Sequence, residues 1–198
     1  ELHVGDFHLD YSRPCYAAVD YGYTNPFVWL LVQIDHWGDI YVLDELYETG
    51  LTTDDAIAVI QERSLAPRNL SAFYADPADP NDTLTISRKL RVDGIGGGAT
   101  GGPINDRLRL IRNYLKMKNE HLPWGDPERK PRLMIDRRCK ATISDFNLYK
   151  YPGNGSENPE KKNDHAPEAL GRFFMGHFGP VERDTGRTRV RRARQKRR

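Results

Sequence analysis

Three apolar segments follow one another within the first fifty residues, and their spacing leaves few ways to fold. Tyr16-Ala-Ala-Val-Asp20 is a short run closed by Asp20 and the turn-prone Gly22, and Phe27 to Asp35 and Ile40 to Tyr47 come next. Each has strand length and is rich in β-branched and aromatic residues. Asp35-His-Trp-Gly-Asp39 supplies Asp and Gly for a tight reversal, so the second and third segments are expected to pair as an antiparallel hairpin. Thr52 and Thr53 then precede Asp54, Asp55 and an apolar set at Ala56, Ile57, Val59 and Ile60, which predicts a capped amphipathic helix running to about Leu65.

Beyond that helix the pattern alternates. Leu70 to Ala75 reads as a fourth strand that must leave the sheet at Asp76-Pro77, because proline cannot continue a central ladder. A helix from about Asn81 to Leu90 follows. Val92 to Pro103 is dominated by glycine and is expected to form no packed element, whereas Ile104, Leu108, Ile111 and Leu115 recur at helical spacing up to Met117. Arg132 to Ile135 predicts a fifth strand, Cys139 to Tyr149 a helix, Gly153 to Lys162 a polar loop and Asn163 to His177 the last helix. Three strands followed by alternating helix and strand imply a three-layer α/β/α domain on a mixed, mainly five-stranded sheet.

The 198 residues and their 38% hydrophobic content suit one such domain, residues 1–180, with residues 181–198 as a basic, flexible tail. The net charge of +2 hides an asymmetry: Arg183 to Arg198 holds nine Lys and Arg against Asp184 alone, which leaves the preceding 182 residues at about −6. The longest apolar run, Phe27 to Ile34, is too short to span a bilayer, and no basic-then-apolar leader opens the chain. The expectation is a soluble, non-secreted protein without a membrane partner, cut from a longer chain. Cys15 and Cys139 have no CxxC or His companion at metal-ligand spacing and read as reduced core thiols.

Chemistry is suggested by three carboxylates far apart in sequence. Asp20 ends the first strand, Asp76 ends the fourth and Asp164 opens the last helix, and in an α/β sheet such positions converge on one rim. Hard oxygen donors of this kind suit Mg²⁺ or Mn²⁺, and two ions roughly 4 Å apart support in-line attack of water on a phosphodiester. Each residue also has a local reading: Asp164 as a helix N-cap, Asp76 as a turn residue before Pro77. Asp20 follows Ala17-Ala18-Val19, a run suited to burial on both faces, which a purely local role explains less well.

Here a resemblance becomes specific. Val19-Asp20-Tyr21-Gly22 resembles the first motif of viral large terminase nucleases, Tyr74-Ala75-Asp76-Pro77 the second, and Asn163-Asp164-His165-Ala166-Pro167-Glu168-Ala169-Leu170-Gly171-Arg172-Phe173 is similar to the third, an Asp-His-Ala-x-Asp-Ala-Leu-Arg-Tyr pattern. The match runs from residue 15 to about 175 with the motifs in family order. It implies the RNase H-like fold, a two-metal endonuclease cutting concatemeric duplex DNA in the infected host cell, and Asp20, Asp76 and Asp164 as ligands of Mg²⁺ or Mn²⁺, with Asp20 bridging. It also implies an ATPase domain elsewhere in the full-length chain, and portal and small terminase subunit as partners. Two departures stand out: Glu168 replaces the usual second acid, and Gly171 interrupts the Leu-Arg step.

Glu168 lies one helical turn after Asp164 and could reach a metal or its water, or simply face solvent. Asp79 is an outer-shell ligand or a loop cap. Gly94 to Gly102 lacks the Gly-Lys-Ser/Thr of a nucleotide-binding loop and is read either as a regulator of DNA entry or as a linker. Arg137, Arg138, Lys140, Lys161 and Lys162 are candidate phosphate contacts around an acidic cleft, and Arg191 and Arg192 belong to the tail, which is expected to bind polyanions. Two other functions fit less of the pattern: a resolvase-like or transposase-like nuclease, and a catalytically idle module that binds DNA or portal.

Overall fold

The three leading segments fold as β2 (Cys15–Asp20), β3 (Phe27–Ile34) and β4 (Ile40–Glu48), each antiparallel to the next. The computed structural model describes residues 2–96, 99–116, 131–152 and 160–179. The predicted reversal is present: Asp35 Oδ1 accepts from the backbone N–H of Trp37 and Asp39 at 2.8 Å each, and Gly38 takes φ +77°. The elements that follow are α1 (Thr53–Glu62), β5 (Leu70–Tyr74), α2 (Pro80–Leu90), α3 (Ile104–Leu115), β7 (Leu133–Asp136), α4 (Lys140–Leu148) and α5 (His165–Phe178). At the head of α1, Thr52 Oγ1 accepts from Asp55 N while Thr52 N donates to Asp55 Oδ2, a capping box that explains why the helix begins there.

Two short strands were not expected: β1 (Val4–Gly5) and β6 (Asp93–Ile95). They extend the predicted five strands to a seven-stranded sheet among the described residues, in the order β1-β7-β4-β3-β2-β5-β6. The reading of Val92 to Pro103 as unable to form a packed element is therefore corrected at its start. Gly94 sits inside β6, where a Cβ would lie 2.6 Å from Phe73 Cζ and 2.8 Å from Thr83 Cγ2. Its glycine allows a close approach of strand to core rather than breaking structure.

Alternation along β3 shows the layers directly. Val28, Leu30 and Val32 pack under α3, α4 and α5, whereas Phe27, Trp29 and Leu31 pack under α1 and α2. The sheet is thus covered on both faces, as the three-layer expectation required. The first long strand, β2, sits between β3 and β5, with β3 antiparallel and β5 parallel to it, the arrangement of the RNase H-like fold. No helix among the described residues is long and apolar enough to cross a membrane. Residues 181–198 and residues 153–159 of the predicted polar loop lie outside the described residues.

The end of β7 is fixed by Asp136, which is almost fully buried. Its carboxylate accepts from Phe7 N at 2.7 Å and from Arg138 N and Nε at 2.9 and 2.8 Å. Burial opposes ionisation, but the donors on Arg138 and Phe7 outweigh it and hold the carboxyl below its ordinary range. A depressed carboxyl pKa contributes stability that is present above about pH 4 and lost as pH falls through the folded value. Asp136→Asn is therefore expected to lose about 1–3 kcal/mol at neutral pH and to lose less than the unmodified protein on acidification to about pH 3; urea unfolding at the two pH values measures both.

Candidate active site

Strand register brings two of the three carboxylates together. Parallel β2 and β5 pair Ala18 with Tyr74, so two residues further on Asp20 and Asp76 stand beside each other at the same rim. Ala18, Tyr74 and their face of the sheet pack against α5, and by the two-residue alternation of a strand Asp20 and Asp76 point to that same side. The helix meets them. His165 Nδ1 donates to Asp20 Oδ2 at 3.1 Å, and Arg172, two turns along α5, pairs closely with Asp76 Oδ2.

The third carboxylate stands at the head of α5. Asn163 takes φ +53°, a left-handed conformation that asparagine tolerates better than most residues, and this turns the chain into the helix at Asp164. Asp164 occupies the N-cap position, yet its side chain makes no capping hydrogen bond. Asp145 on α4 does that work instead, accepting from Ala166 N at 3.1 Å and from the Tyr47 hydroxyl at 2.9 Å. The Asp164 carboxylate is left to face the cleft, which it lines together with Asp20, His165, Glu168, Arg107 and Arg172. Asp76 serves its turn as well, since Oδ1 accepts from Ala78 N at 2.8 Å.

Charge in the cleft is tightly balanced. Burial raises the pKa of Asp20, and Asp76 adds to the effect, while His165 and Arg172 oppose it. The hydrogen bond to Asp20 raises that of His165 against the effect of burial. Glu168 is not a solvated face residue: its side chain is 17% exposed, its Oε2 lies 2.8 Å from Arg107 Nη1 and 3.8 Å from Arg172 Nη2, and burial raises its pKa. Asp79 occupies the N-cap position of α2 without a side-chain capping bond, and burial with Asp76, Asp82 and Asp20 nearby raises its pKa.

The candidate DNA contacts separate. Lys161 lines the cleft. Arg137 pairs with Asp6, and Arg138 with Asp136 and Asp44, beside β7; Lys140 and Lys162 are exposed. Arg191 and Arg192 fall outside the described residues. Sequence reasoning missed Arg107, which sits on α3 among apolar positions, and it missed the Tyr47–Asp145 support of α5.

A divalent cation fits the chemistry of the donors, which are carboxylate oxygens without a thiolate. Among the described residues no three His, Cys, Asp or Glu side chains stand close enough to enclose an ion. Arg172 holds Asp76 and His165 holds Asp20, so these carboxylates have internal partners in the places a cation would take.

No protein-family model matches the sequence, and comparison with curated proteins finds no match. Solved structures do match. The large terminase of the thermophilic bacteriophage D6E superimposes with a TM-score of 0.68 at 18% identity over 87% of this chain, and the P22 large terminase nuclease domain with 0.67 at 16% over 88%. The fold is that of a large terminase nuclease domain. The g2p nuclease domain of bacteriophage SPP1, solved with bound Mn, shares this terminase nuclease fold with a TM-score of 0.59 at 15% identity, matching 86% of this chain and 93% of that one. The match takes in 87% of the P22 domain but 42% of the D6E protein, so the chain spans well under half the length of that larger terminase.

Proposed function

We propose that this chain is the nuclease domain of a large terminase subunit, a divalent-metal-dependent endonuclease that cuts concatemeric duplex DNA during genome packaging in the infected cell. The observation that supports this reading is the side-by-side placing of Asp20 and Asp76 where β2 and β5 end, with Asp164 lining the same cleft as Asp20, on a fold shared with a terminase nuclease solved with Mn. Asp20, Asp76 and Asp164 would hold two Mg²⁺ or Mn²⁺ ions, which when bound supply a nucleophilic water and stabilise the leaving oxygen. His165 orients Asp20 through Oδ2, and Asp145 sets the start of α5 so that Asp164 faces the cleft. Arg172 must yield Asp76 for that carboxylate to act as a ligand. Glu168 and Asp79 would serve as accessory acids.

The domain spans residues 1–180, and the basic tail of residues 181–198 supplies non-specific attraction for polyanions. An ATPase domain of the same full-length chain, the portal and the small subunit are the partners this reading requires, and weak cutting by the isolated domain follows from its need for an engaged motor. One observation favours a second reading: the Arg172–Asp76 pair suits an idle DNA-binding or portal-binding module whose cleft takes no metal. The deciding experiment is nicking and linearisation of supercoiled plasmid in Mn²⁺, Mg²⁺ or EDTA, with melting curves in the same buffers. The nuclease reading expects metal-dependent cutting and a metal-induced rise in melting temperature, since a ligand that binds only the folded state stabilises it. No cutting and no rise would leave the idle module standing.

A further inference from the structure

Arg107 is 8% exposed and sits in the cleft wall, a burial that a guanidinium accepts only with partners. Its partners are incomplete. Nη1 approaches Glu168 Oε2 at 2.8 Å but out of line for a hydrogen bond, and Nε has no hydrogen-bond partner among the described residues. The neighbouring Arg172 also has a buried Nε without a partner among the described residues, but its Nη2 is committed to Asp76. Burial is also the main influence on Arg107 itself, acting against its charge while Glu168 supports it.

The reason Arg107 reaches this place is the glycine that departs from the motif. A Cβ at Gly171 would lie 3.1 Å from Arg107 Cβ and 3.2 Å from Cδ, so the bare backbone of α5 lets the arginine stem lie flat against it. A stem held in this way loses little freedom when its planar fork takes an oxyanion, and a guanidinium fork matches phosphate oxygens. A phosphodiester entering among Asp20, Asp164 and Glu168 also needs a cation to offset their repulsion.

We propose that Arg107 is a phosphate-binding residue, held in place by Gly171 and Glu168 to take a backbone phosphate of duplex DNA beside the carboxylates. The inference rests on the nuclease reading only for the identity of the ligand. Glu168 stands against Nη1, which like Nε is enclosed, and the phosphate meets the edge of Arg107 that lines the cleft.

The test is equilibrium binding of a fluorescent DNA duplex in EDTA across a salt series, by anisotropy, for the unmodified chain, Arg107→Gln, Glu168→Gln and the double variant. The double variant removes both charges, so neither is left buried alone and the fold is kept. Loss of one phosphate contact lowers the slope of log affinity against log salt by about 0.9. That decrease is expected in both variants lacking Arg107 and not in Glu168→Gln, and the tail contributes equally to all four. An unchanged slope in the double variant, or no duplex binding by the unmodified chain, overturns the proposal. Plasmid cutting in Mn²⁺ separates the two readings: cutting with an unchanged slope removes the Arg107 role alone, and a lowered slope without cutting removes the nuclease and leaves the phosphate site.

Discussion

Asp20→Asn is expected to abolish metal-dependent cutting of duplex DNA, with the rate falling by on the order of a thousandfold, about 4 kcal/mol of transition-state stabilisation. The expectation follows from position: Asp20 lies between Asp76, just past the end of β5, and His165 on α5. The same variant should not weaken the fold. Burial raises the pKa of Asp20, and Asp76 adds to this. A carboxyl whose folded pKa is raised costs stability as pH rises through that value, and asparagine carries no such charge. The metal-free variant is therefore expected to melt no lower than the unmodified protein, while the rise produced by Mn²⁺ disappears. Cutting at near-unmodified rates would remove Asp20 from the catalytic role.

Asp145→Ala is expected to have the largest effect on stability among residues around the cleft. Asp145 is 5% exposed, and its Oδ2 accepts from both the Tyr47 hydroxyl and Ala166 N. Burial and the adjacent Asp145 push the Tyr47 hydroxyl well above its ordinary pKa, so it stays protonated and needs an acceptor. Alanine leaves a phenol and a helix N–H unsatisfied, at about 1–3 kcal/mol each. For a chain of this length that lowers the melting temperature by roughly 5–15 °C. Cutting should fall too, below the melting range, because the same bond fixes the first turn of α5 where Asp164 and His165 stand. Asp145→Asn keeps an acceptor oxygen and should lose less. A melting temperature within about 2 °C of the unmodified protein would show that water satisfies these groups.

These two residues differ in how far the sequence discloses them. Asp20 closes an apolar run, so its place at a strand end can be read locally, and the hairpin after it is legible from Asp35 and Gly38. Asp76 before Pro77 and Asp164 before a helical pattern can be read locally too, and the register of β2 with β5 sets Asp20 and Asp76 side by side. Asp145 is part of an unremarkable helical segment, and its meaning depends on Tyr47, 98 residues away. Glu45, on β4, is similar: it accepts from Ala141 N, Thr142 N and Thr142 Oγ1 at the head of α4, about a hundred residues later. Arg107 was obscured for another reason, since a helix exposes its cations by default and only the glycine opposite makes burial feasible. The two edge strands are too short for any alternation to register, and β1 acquires its identity only from β7.

That last pairing has a consequence for how copies of the domain meet. Ile135 N donates to His3 O and Arg137 N to Gly5 O, while the His3 ring donates to Leu133 O, so the outer side of β7 is closed by the opening residues of the chain. The opposite border ends in the three residues of β6, with a charged Asp93 at its start. Neither border offers a long open ladder for strand addition. A shortened form beginning at His8 would keep every carboxylate of the cleft but bare the amides and carbonyls of β7. Its characteristic failure would be edge-to-edge aggregation rather than loss of chemistry, and the segment that guards against it lies on the sheet border furthest from β6.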